Sequence, residues 1–539
     1  MNGVRPHLRP AGDRGILVEY PLEVSPETCA QVLGADAALA GLPGVVETVP
    51  AFRSVLVVYD PRAVTFDDLA DRAEHAVRRA KPVALESGRL IEVPVVYGGA
   101  AGPDLEEVAS ACGLQPDDVI RLHSEPLYLV YMLGFAPGYP YLGLLPAPLR
   151  LPRRAAPRLR VPAGSVAIAD QFSGIYPQET AGGWHLVGRT PLVLFDPART
   201  PPFLLRPGDR VRFVPVRDAA PAAAPAHSPA PGRPRRPTFE VLQPGLMSTV
   251  QDLGRVGWRR FGVPWSGALD RAALVAANAA LGNGPDAAAL ELTFPGPTLR
   301  VLEAAEIAVA GADLDARLNG SPLDLEDPVA VRPGDVVTFE APRRGQWAYL
   351  AVVGGIDVPA VFGSRATYAR GGLGGVAGRM LRAGDVLGRG EGASGSRRRG
   401  PSVAAPPPSG PIRVIMGPQA GGFSVQAEAA LLSQPFEATV HRDRSGMRLR
   451  GPVLGHRGRA EILSDALLPG AIQVPAEGQP IVILADGPTT GGYAKIAFVI
   501  DADLDRVAQI VPGGTVRFQA VTVAAAHEAS RASATLRSP

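Results

Sequence analysis

The sequence predicts a mainly β protein with a small α+β domain at its N-terminus. Three observations lead to this fold class. Strand and helix patterns alternate up to about residue 93, helix patterns become rare beyond it, and four similar turn-and-strand phrases recur along the rest of the chain. The 62 glycines and 56 prolines follow no collagen period, which is typical of many tight turns between short strands.

The N-terminal α+β domain is predicted over residues 1–90. Its apolar patterns predict, in order, a strand at 16–20, a helix at 25–40, strands at 45–49 and 54–59, a helix at 65–80 and a strand at 89–93. Acidic residues begin the second helix and Arg78 and Arg79 end it, as the helix dipole favours. The βαββαβ order predicts a ferredoxin-like sandwich.

Two kinds of repeat predict that barrels follow. The phrases RPGDRVRF (206–213), RPGDVVTF (332–339), RAGDVL (382–387) and VPGGTVRF (511–518) each place a tight turn before a strand. TAGGWHLVGRT, from Thr180, matches TTGGYAKIAFV, from Thr489, which predicts two related barrels. The predicted boundaries are a barrel at 91–217, a Pro/Ala-rich linker at 218–237, a β-rich barrel domain at 238–391, a linker at 392–410, another barrel at 411–520 and a loose tail at 521–539.

Composition argues against several functional classes. A net charge of +2, with arginines scattered among acids, argues against a nucleic-acid partner. Cys29 and Cys112 cannot form a disulfide framework, and the eight histidines lack metal spacing, so no metal site is expected. No segment forms an apolar signal core or a membrane span of roughly 20 residues, so a cytoplasmic protein is expected. With only Lys81 and Lys495 and no GxxxxGK(S/T) loop, a Walker-type ATP site is excluded.

The first stretch that could carry chemistry is HSEPLYLVYMLGFAPGYPYLGLLP, from His123. Its prolines and glycines predict a loop at 134–143 that exposes backbone among the aromatic faces of Phe135 and Tyr141, an arrangement suited to a ligand. His123 could act as a general base or contact a phosphate. A histidine buried in the core is the alternative of about equal weight.

A second stretch, at 157–197, is predicted to bind an anion. Turns at Gly164 and Ser165 and near Tyr176 would offer backbone N–H groups to a negatively charged ligand. Trp184 would line the same rim as an aromatic wall.

Arg189 is the strongest predicted anion partner in this stretch. A guanidinium binds carboxylate or phosphate bidentately, which favours a ligand contact. A salt bridge from Arg189 to Asp196 or Asp209 carries about equal weight.

The second half begins with a loop that could present polar side chains. Polar and glycine residues replace the apolar period in TVQDLGR, from Thr249, so Asp252 and Arg255 are predicted site residues. Asp270 follows in FGVPWSGALD, where it could contact substrate. Capping of the helix at 271–281 is the simpler role for Asp270.

Two further charges occupy unusual positions. Glu291 lies in the apolar run AAALEL, where a carboxylate should have a raised pKa unless it is paired; this suits a general acid or a partner for an ammonium. Lys495 stands in a sequence that otherwise uses arginine, which suggests a need for a compact ammonium of tunable pKa. A sample of two lysines is also consistent with chance.

These segments carry a family resemblance. LHSEPLYLVYMLGFAPGYPYLG and VPAGSVAIADQFSGIYPQETAGGWHLVGRTPLVLFD resemble allophanate hydrolase subunit 1, the family associated with the B subunit of 5-oxoprolinase, over residues 12–213. From residue 239, VLQPGLMSTVQDLGRVGWRRFGVPWSGALD and SDALLPGAIQVPAEGQPIVILADGPTTGGYAKIA resemble allophanate hydrolase subunit 2, or the C subunit of 5-oxoprolinase. The same pair forms the carboxyltransferase region of urea carboxylase. The resemblance implies cyclophilin-like β-barrels.

The resemblance also implies a function. The chain would be a component of an ATP-dependent 5-oxoprolinase, using ATP with Mg²⁺ to activate 5-oxoproline for ring opening to glutamate by a separate hydrolase subunit; whether it forms a homo-oligomer is left open. Thr490, Gly491, Gly492 and Tyr493 are expected to border the substrate or nucleotide. The sequence has Pro488 and Ala494 where the family has Gln and Pro, which would alter specificity if that Gln contacts substrate.

Two other functions fit the resemblance. A biotin-dependent carboxyltransferase acting on urea or a similar small amide would need a carboxybiotin donor in trans, because the chain has no biotin-accepting Met-Lys context. A regulatory binding protein, related to a sporulation kinase inhibitor and its antagonist, would join two opposing activities in one chain. The 5-oxoprolinase interpretation needs neither condition.

One cleft is predicted to combine residues of both halves, because neither half alone holds a base, an anion clamp and an aromatic wall. The predicted catalytic residues are His123, Arg189, Asp252 and Lys495. The residues expected to converge are His123, Tyr176, Trp184 and Arg189 from the first half with Asp252, Arg255 or Lys495 from the second.

Overall fold

The computed structural model describes residues 5–218, 228, 232–325, 327–392 and 410–537, with side chains up to 532. It confirms the mainly β fold class with barrel-shaped sheets. Most of the predicted linkers at 218–237 and 392–410 lie outside the described residues. Among the helices described, none is long and apolar enough to cross a membrane.

The N-terminal domain is a four-stranded antiparallel sheet covered by two helices. The sheet order is β1-β2-β4-β3, and apolar residues such as Val18, Val57 and Leu69 fill the core. Hydroxyls cap both helices, because Ser25 accepts from Thr28 N and Thr65 from Asp68 N. The elements are β1 (His7–Pro10), β2 (Gly15–Glu19), α1 (Pro26–Ala40), β3 (Val45–Pro50), β4 (Ser54–Tyr59) and α2 (Phe66–Arg79).

The first barrel follows and is closed. Its strand order is β10-β7-β6-β13-β5-β12-β9, with β9 paired to β10. A short two-stranded arm, β8 with β11, projects from it. The elements are β5 (Leu90–Tyr97), α3 (Leu105–Cys112), α4 (Pro116–Ser124), β6 (Tyr128–Leu133), β7 (Pro140–Gly143), β8 (Arg158–Val161), β9 (Ser165–Ala169), β10 (Phe172–Ile175), β11 (Thr180–Gly182), β12 (His185–Arg189) and β13 (Arg210–Pro215).

One strand assignment in the N-terminal domain was wrong. The strand predicted at 89–93 as the last of the ferredoxin-like sandwich is β5, which pairs in parallel with β13 and belongs to the barrel. The outer place in the N-terminal sheet is taken by β1, which pairs with β2. Local patterns predict a strand but not its neighbour, since pairing is decided by distant residues.

The middle domain consists of two sheets packed on one core. The seven-stranded sheet has the order β20-β19-β22-β17-β14-β25-β24, and the five-stranded sheet β15-β16-β23-β18-β21. The elements are β14 (Pro237–Gln243), β15 (Met247–Gln251), α5 (Arg271–Ala280), β16 (Ala289–Thr293), β17 (Thr298–Val301), β18 (Ala305–Asp313), β19 (Ala316–Leu318), β20 (Ser321–Pro322), β21 (Val329–Val331), β22 (Val336–Phe339), β23 (Arg344–Val352), β24 (Ile356–Asp357) and β25 (Val386–Arg389).

The C-terminal barrel has the order β33-β27-β28-β31-β30-β32-β26-β34, and the strand β29 pairs with the start of β32. The elements are β26 (Ile412–Met416), α6 (Val425–Ser433), β27 (Phe436–Arg442), β28 (Gly446–Arg450), β29 (Glu461–Ala466), β30 (Ala471–Val474), β31 (Ile481–Ile483), β32 (Thr490–Val499), α7 (Leu504–Ala508), β33 (Thr515–Val516), β34 (Phe518–Ala520) and α8 (Val523–Arg537).

Helix α8 occupies the segment predicted to be a loose tail. Ala526 and His527 are buried, and the His527 ring meets the Tyr59 hydroxyl at 3.0 Å and the Asp13 carbonyl at 2.8 Å. The alanine-rich sequence favours a helix, and these contacts hold it against the N-terminal domain.

The turns predicted from the repeated phrases are confirmed. The turn that opens each phrase leads directly into a strand: β13, β22, β25 and the pair β33 and β34. In three of them the aspartate carboxylate accepts from the backbone N–H three residues earlier, at 2.8 Å for Asp209 and 2.7 Å for Asp335 and Asp385. A side chain that satisfies its own turn explains why the same short phrase recurs at strand entries.

The predicted relation between the two barrels agrees with their topology. Strand β12 lies between β9 and β5, and β5 pairs in parallel with β13. In the same way β32 lies between β30 and β26, and β26 pairs in parallel with β34. Trp184 and Tyr493 both lie where a two-stranded arm leads into the barrel strand, so they occupy equivalent topological positions.

Candidate functional site

A cavity of about 360 Å³ lies between the N-terminal domain and the C-terminal barrel. Both halves of the chain contribute side chains to it, but none of the residues predicted to converge in one cleft is among its lining residues. Its polar lining is supplied by Arg9, Glu19, Arg53 and Ser54 from the first half and by Gln419, His456, Arg459, Ser464 and Asp465 from the second.

An ion pair lies at the edge of this cavity. Lys495 is fully buried, and its Nζ donates to Asp465 Oδ2 at 3.1 Å. The other carboxylate oxygen, Oδ1, accepts from Ser54 Oγ at 2.6 Å and from Ala466 N at 2.8 Å. A buried ammonium needs such a partner, because removal of either charge would leave the other without compensation. The Ser54 contact fixes the pair to the N-terminal domain.

Local sequence positions the pair. Asp465 lies on the arm strand β29, opposite Gly491 of β32, and Lys495 follows on the same β32 strand. A Cβ at Gly491 would come within 2.8 Å of both Gln473 Nε2 and Leu467 Cδ1, so a larger residue there would displace these two side chains. The glycines of TTGGY therefore have a structural role beside the site.

The cavity wall carries an excess of positive charge. Arg53 Nη2 lies 3.0 Å from Glu19 Oε1, and Arg9 donates to the Pro418 carbonyl at 2.7 Å. Arg459 is an exposed residue of the same lining. The three arginines of the lining outnumber its two acidic residues, Glu19 and Asp465, which favours an anionic ligand.

An aromatic cluster lies directly behind this wall. The Tyr141 hydroxyl interacts with the side chains of Thr490 and Ser464, and Ser464 lines the cavity. The backbone N–H of Phe135 donates to Thr490 Oγ1 at 3.0 Å. Tyr176 and Trp184 both pack with Tyr139, at ring-centroid distances of 5.1 and 6.0 Å.

The predicted aromatic residues therefore do come together with Thr490, but in the packed interface between the two barrels. Tyr141, Tyr176 and Trp184 are all buried. Burial raises the pKa of the Tyr141 hydroxyl and raises that of Tyr176 to about 12. These hydroxyls stay neutral at ordinary pH and support the cavity wall from behind.

His123 is not placed where it could act as a general base or contact a phosphate in the cavity. It is on helix α4, fully buried in the first barrel, where its ring stacks on Phe213. Nδ1 meets the Tyr97 hydroxyl at 2.8 Å and Nε2 meets Ser173 Oγ at 2.9 Å. Burial lowers the pKa of His123 to about 3. The geometry fits the core histidine of the alternative interpretation.

The predicted anion site in the first barrel is used internally. Gly164 N donates to the Tyr176 carbonyl at 2.7 Å and Ser165 N to the Pro162 carbonyl at 3.3 Å. Arg189 Nε donates to the Ala163 carbonyl at 2.9 Å. These groups close the barrel, because a turn buried between strands must satisfy its own backbone.

The two predicted residues of the second-half loop make their hydrogen bonds within the middle domain. Asp252 accepts from Ser364 Oγ at 2.7 Å and from Arg365 N at 2.5 Å. Arg255 is 1% exposed and donates to the Ala366 carbonyl. Burial lowers the pKa of Arg255 to about 10. Neither residue lines the cavity.

Glu291 and Asp270 likewise have internal partners. Glu291 pairs with Arg444 and accepts from the Tyr349 hydroxyl at 2.7 Å. Arg444 also pairs with Asp486 at 2.9 Å, which makes a buried ionic network that sequence reasoning missed. Asp270 accepts from Ala273 N at 2.9 Å, the predicted capping role.

Of the predicted residues, Lys495, Thr490 and Gly491 lie closest to Asp465 of the cavity lining: Lys495 pairs with its carboxylate, and the other two lie on the strand that pairs with its own. A Cβ at Gly492 would lie 3.6 Å from Ser464 Oγ, and Tyr493 is half exposed on the arm. The residues that sequence reasoning missed are Arg9, Glu19, Arg53, Ser54, Asp465 and Arg459. Asp465 lies in SDALLPG, part of a segment that carries the family resemblance, and could have been found there. Arg9, Glu19, Arg53 and Ser54 lie in no motif of the sequence analysis.

No group of three or more His, Cys, Asp or Glu suited to a metal ion occurs within the described parts of the chain. The arginines of the cavity wall fit the phosphate groups of a nucleotide, because guanidinium binds phosphate through paired N–H donors.

Comparisons with known proteins agree with this two-part architecture. A family described as "Carboxyltransferase domain, subdomain C and D" matches residues 6–205, and "Carboxyltransferase domain, subdomain A and B" matches residues 261–520. Over 208 residues the chain is 46% identical to the 5-oxoprolinase B subunit of Escherichia coli O157:H7, which covers 38% of this chain and 94% of the relative. Over 280 residues it is 38% identical to the 5-oxoprolinase C subunit of Escherichia coli strain K12, covering 52% of this chain and 90% of the relative.

A solved structure shows both regions together. The crystal structure of TTHA0988 matches with a TM-score of 0.84 and 38% identity, covering 94% of this chain and 99% of that one. The two matched families occupy successive halves of the present polypeptide. The chain therefore belongs to the carboxyltransferase-domain family that includes the B and C subunits of 5-oxoprolinase, with both regions joined in one polypeptide.

Proposed function

We propose that this chain is the component of an ATP-dependent 5-oxoprolinase that binds and activates 5-oxoproline for ring opening to glutamate. The observation that carries the proposal is the cavity itself, where Ser54 of the first half, similar to the B subunit, contacts Asp465 of the second half, similar to the C subunit. A site completed by both halves accounts for their presence as one functional unit. A separate hydrolase subunit would complete the ring opening.

The chemistry of the lining matches the substrate. A 5-oxoproline molecule offers a lactam N–H, a lactam carbonyl and a carboxylate. The Asp465 carboxylate suits the N–H donor, and the neighbouring Lys495 ammonium stabilises negative charge that develops on the lactam oxygen. Arg53 suits the substrate carboxylate because it lies on the wall beside Ser54.

Phosphorylation would make the lactam carbon reactive. The bond between the γ-phosphorus and the bridging oxygen of ADP breaks, a P–O bond to the lactam oxygen forms, and the lactam N–H proton passes to Asp465. The phosphorylated ring then has a good leaving group for attack by water in the hydrolase subunit. Arg9, Arg53 and Arg459 would offset the charge of the transferring group, and Mg²⁺ would enter with ATP.

The test compares Asp465→Asn with Asp117→Asn, a change of an exposed acid on α4. Each variant is mixed with the hydrolase subunit, ATP and 5-oxoproline, and both ADP and glutamate are measured. Asp465→Asn should slow turnover by about a hundredfold or more, while the control stays close to the original rate. Equal rates for the two variants would refute the proposal.

A biotin-dependent carboxyltransferase is the second candidate function. It is favoured by the two matched families, which are both described as carboxyltransferase domains. This activity would require a carboxybiotin donor from another protein and a small amide such as urea as acceptor. Incubation with free carboxybiotin and urea separates the two functions, because only a carboxyltransferase would consume the carboxyl group without ATP.

A further inference from the structure

The Ser54 hydroxyl has the surroundings of an activated nucleophile. It donates to Asp465 Oδ1 at 2.6 Å, within the range over which a carboxylate can take a proton during a reaction. Asp465 is held in turn by Lys495 Nζ on Oδ2 at 3.1 Å and by Ala466 N on Oδ1 at 2.8 Å. A hydroxyl, a base and a third group that orients the base form the arrangement that enzymes use for covalent catalysis.

The backbone holds this hydroxyl in one position at the cavity. Ala51 N donates to the Ser54 carbonyl at 2.8 Å across the turn before β4, and Ser54 pairs with Glu19 of β2. Ser54 is one of the residues that line the cavity. Within the described parts of the chain nothing donates to Ser54 Oγ, so both lone pairs of this oxygen are available to an electrophile.

The charges of the lining suit a phosphoryl group on that oxygen. Arg9 and Arg459 line the same cavity, and guanidinium groups bind phosphate oxygens through paired N–H donors. Once Asp465 has taken the hydroxyl proton it is neutral, so it does not repel a phosphate beside it. Protein kinases use an aspartate in the same way, to accept the proton of a hydroxyl that becomes phosphorylated.

We propose that Ser54 is a catalytic residue that carries the phosphoryl group between ATP and the lactam. This inference rests on the proposed function and divides its phosphoryl transfer into two displacements. The N-terminal domain then supplies the nucleophile and the C-terminal barrel supplies the base, which gives each half of the chain its own part in the reaction.

The two displacements balance in bonds and protons. In the first, Ser54 Oγ bonds to the γ-phosphorus, the bond from that phosphorus to the bridging oxygen of ADP breaks, and the hydroxyl proton passes to Asp465. In the second, the lactam oxygen bonds to the phosphorus, the bond to Ser54 Oγ breaks, and Asp465 returns the proton to this oxygen. The Asp465 carboxylate is then free to take the lactam N–H proton.

Labelling of the full chain tests the first displacement. The chain is incubated with Mg²⁺ and ATP that carries a radioactive γ-phosphate, without a lactam. Ser54 should become labelled, as mapped by mass spectrometry of its peptides, and addition of 5-oxoproline with the hydrolase subunit should release the label as phosphate. Radioactive ADP should also exchange into ATP without a lactam, because the first displacement is reversible.

A serine that only joins the two domains would carry no label. If the chain hydrolyses ATP with 5-oxoproline but shows neither label on Ser54 nor exchange, the inference is overturned and the proposed function stands. If the chain shows no ATP hydrolysis that depends on 5-oxoproline when the hydrolase subunit is present, the proposed function fails and this inference fails with it.

Two variants test the same step by its rate. Ser54→Ala should lower 5-oxoproline-dependent ATP hydrolysis by at least about a hundredfold and abolish the exchange. Ser87→Ala is the matched control, because Ser87 is exposed and its hydroxyl donates to the Ala84 carbonyl at 2.6 Å; both activities should persist in it. Undiminished hydrolysis in Ser54→Ala would also overturn the inference. If Ser54→Ala does not fold, the labelling of the unchanged chain decides the question.

Discussion

Arg53 is proposed to recognise the carboxylate of 5-oxoproline, and Arg53→Gln tests that role with two substrates. The residue lies on the cavity wall next to Ser54, which fixes the Asp465 carboxylate. Its ion pair with Glu19 leaves the arginine side chain 41% exposed, so a further partner can reach it. Since 2-pyrrolidinone has the same lactam without a carboxylate, only 5-oxoproline should depend on Arg53.

The size of the effect follows from the lost interaction. A hydrogen bond between charged groups contributes about 1.5–3 kcal/mol, which corresponds to roughly 10- to 100-fold in kcat/KM at about 1.4 kcal/mol per factor of ten. The loss should apply to 5-oxoproline, while 2-pyrrolidinone changes by less than about threefold because it never makes the contact. The ratio of the two kcat/KM values should therefore fall by about 10- to 100-fold.

The assay is ATP hydrolysis that depends on each lactam, measured with the hydrolase subunit present. Arg62→Gln is the matched control, because Arg62 is an arginine of the same domain paired on the surface with Asp60. A loss for both lactams in equal proportion would assign Arg53 a structural role. A similar change of ratio in Arg62→Gln would also refute carboxylate recognition by Arg53. Absence of activity in the unchanged chain would instead contradict the proposed function.

Two further predictions concern stability. His123 has a pKa of about 3 in the folded protein and about 6.5 in the unfolded chain, so lowering the pH from 7.5 to 5 should cost about 2 kcal/mol of stability. This stability is present above pH 6.5 and is lost as the pH falls below it. The fall in Tm between pH 7.5 and pH 5 should be smaller in His123→Gln than in the original chain. Glu291→Gln should cost about 3 kcal/mol, since it leaves the buried Arg444 with less compensating charge. Glu437→Gln, at an exposed pair with Arg450, should cost under about 1 kcal/mol in the same denaturant titration; equal losses at the two sites would contradict the buried network.

The sequence alone was sufficient for features that depend on neighbours along the chain. The aspartate of each RPGD or RAGD phrase bonds to a backbone group three residues away, so the turn is encoded locally and its position before a strand was predictable. The match of TAGGW to TTGGY predicted two related barrels, and in each barrel the phrase lies where an arm meets the barrel strand. Asp270 as a helix cap is a third example.

Sequence reasoning was less successful with polar residues taken to be site residues. His123, Arg189 and Asp252 have chemically suitable side chains, but each is satisfied by groups inside its own domain. A polar residue can serve a ligand or the fold equally well, since burial and partners are not visible in the sequence. The chemistry of a side chain therefore suggests a role that only its surroundings can assign.

The position of the cavity was decided by tertiary structure. Ser54 and Asp465 are separated by 411 residues and meet only because the N-terminal sheet docks on the C-terminal barrel. Lys495 was recognised as unusual from the sequence, but its partner Asp465 follows from strand pairing within the C-terminal barrel, and the Ser54 contact to that carboxylate follows from the docking. Local patterns encode turns, strands and repeats, whereas a site between domains is created by the burial of surfaces whose complementarity no local pattern records.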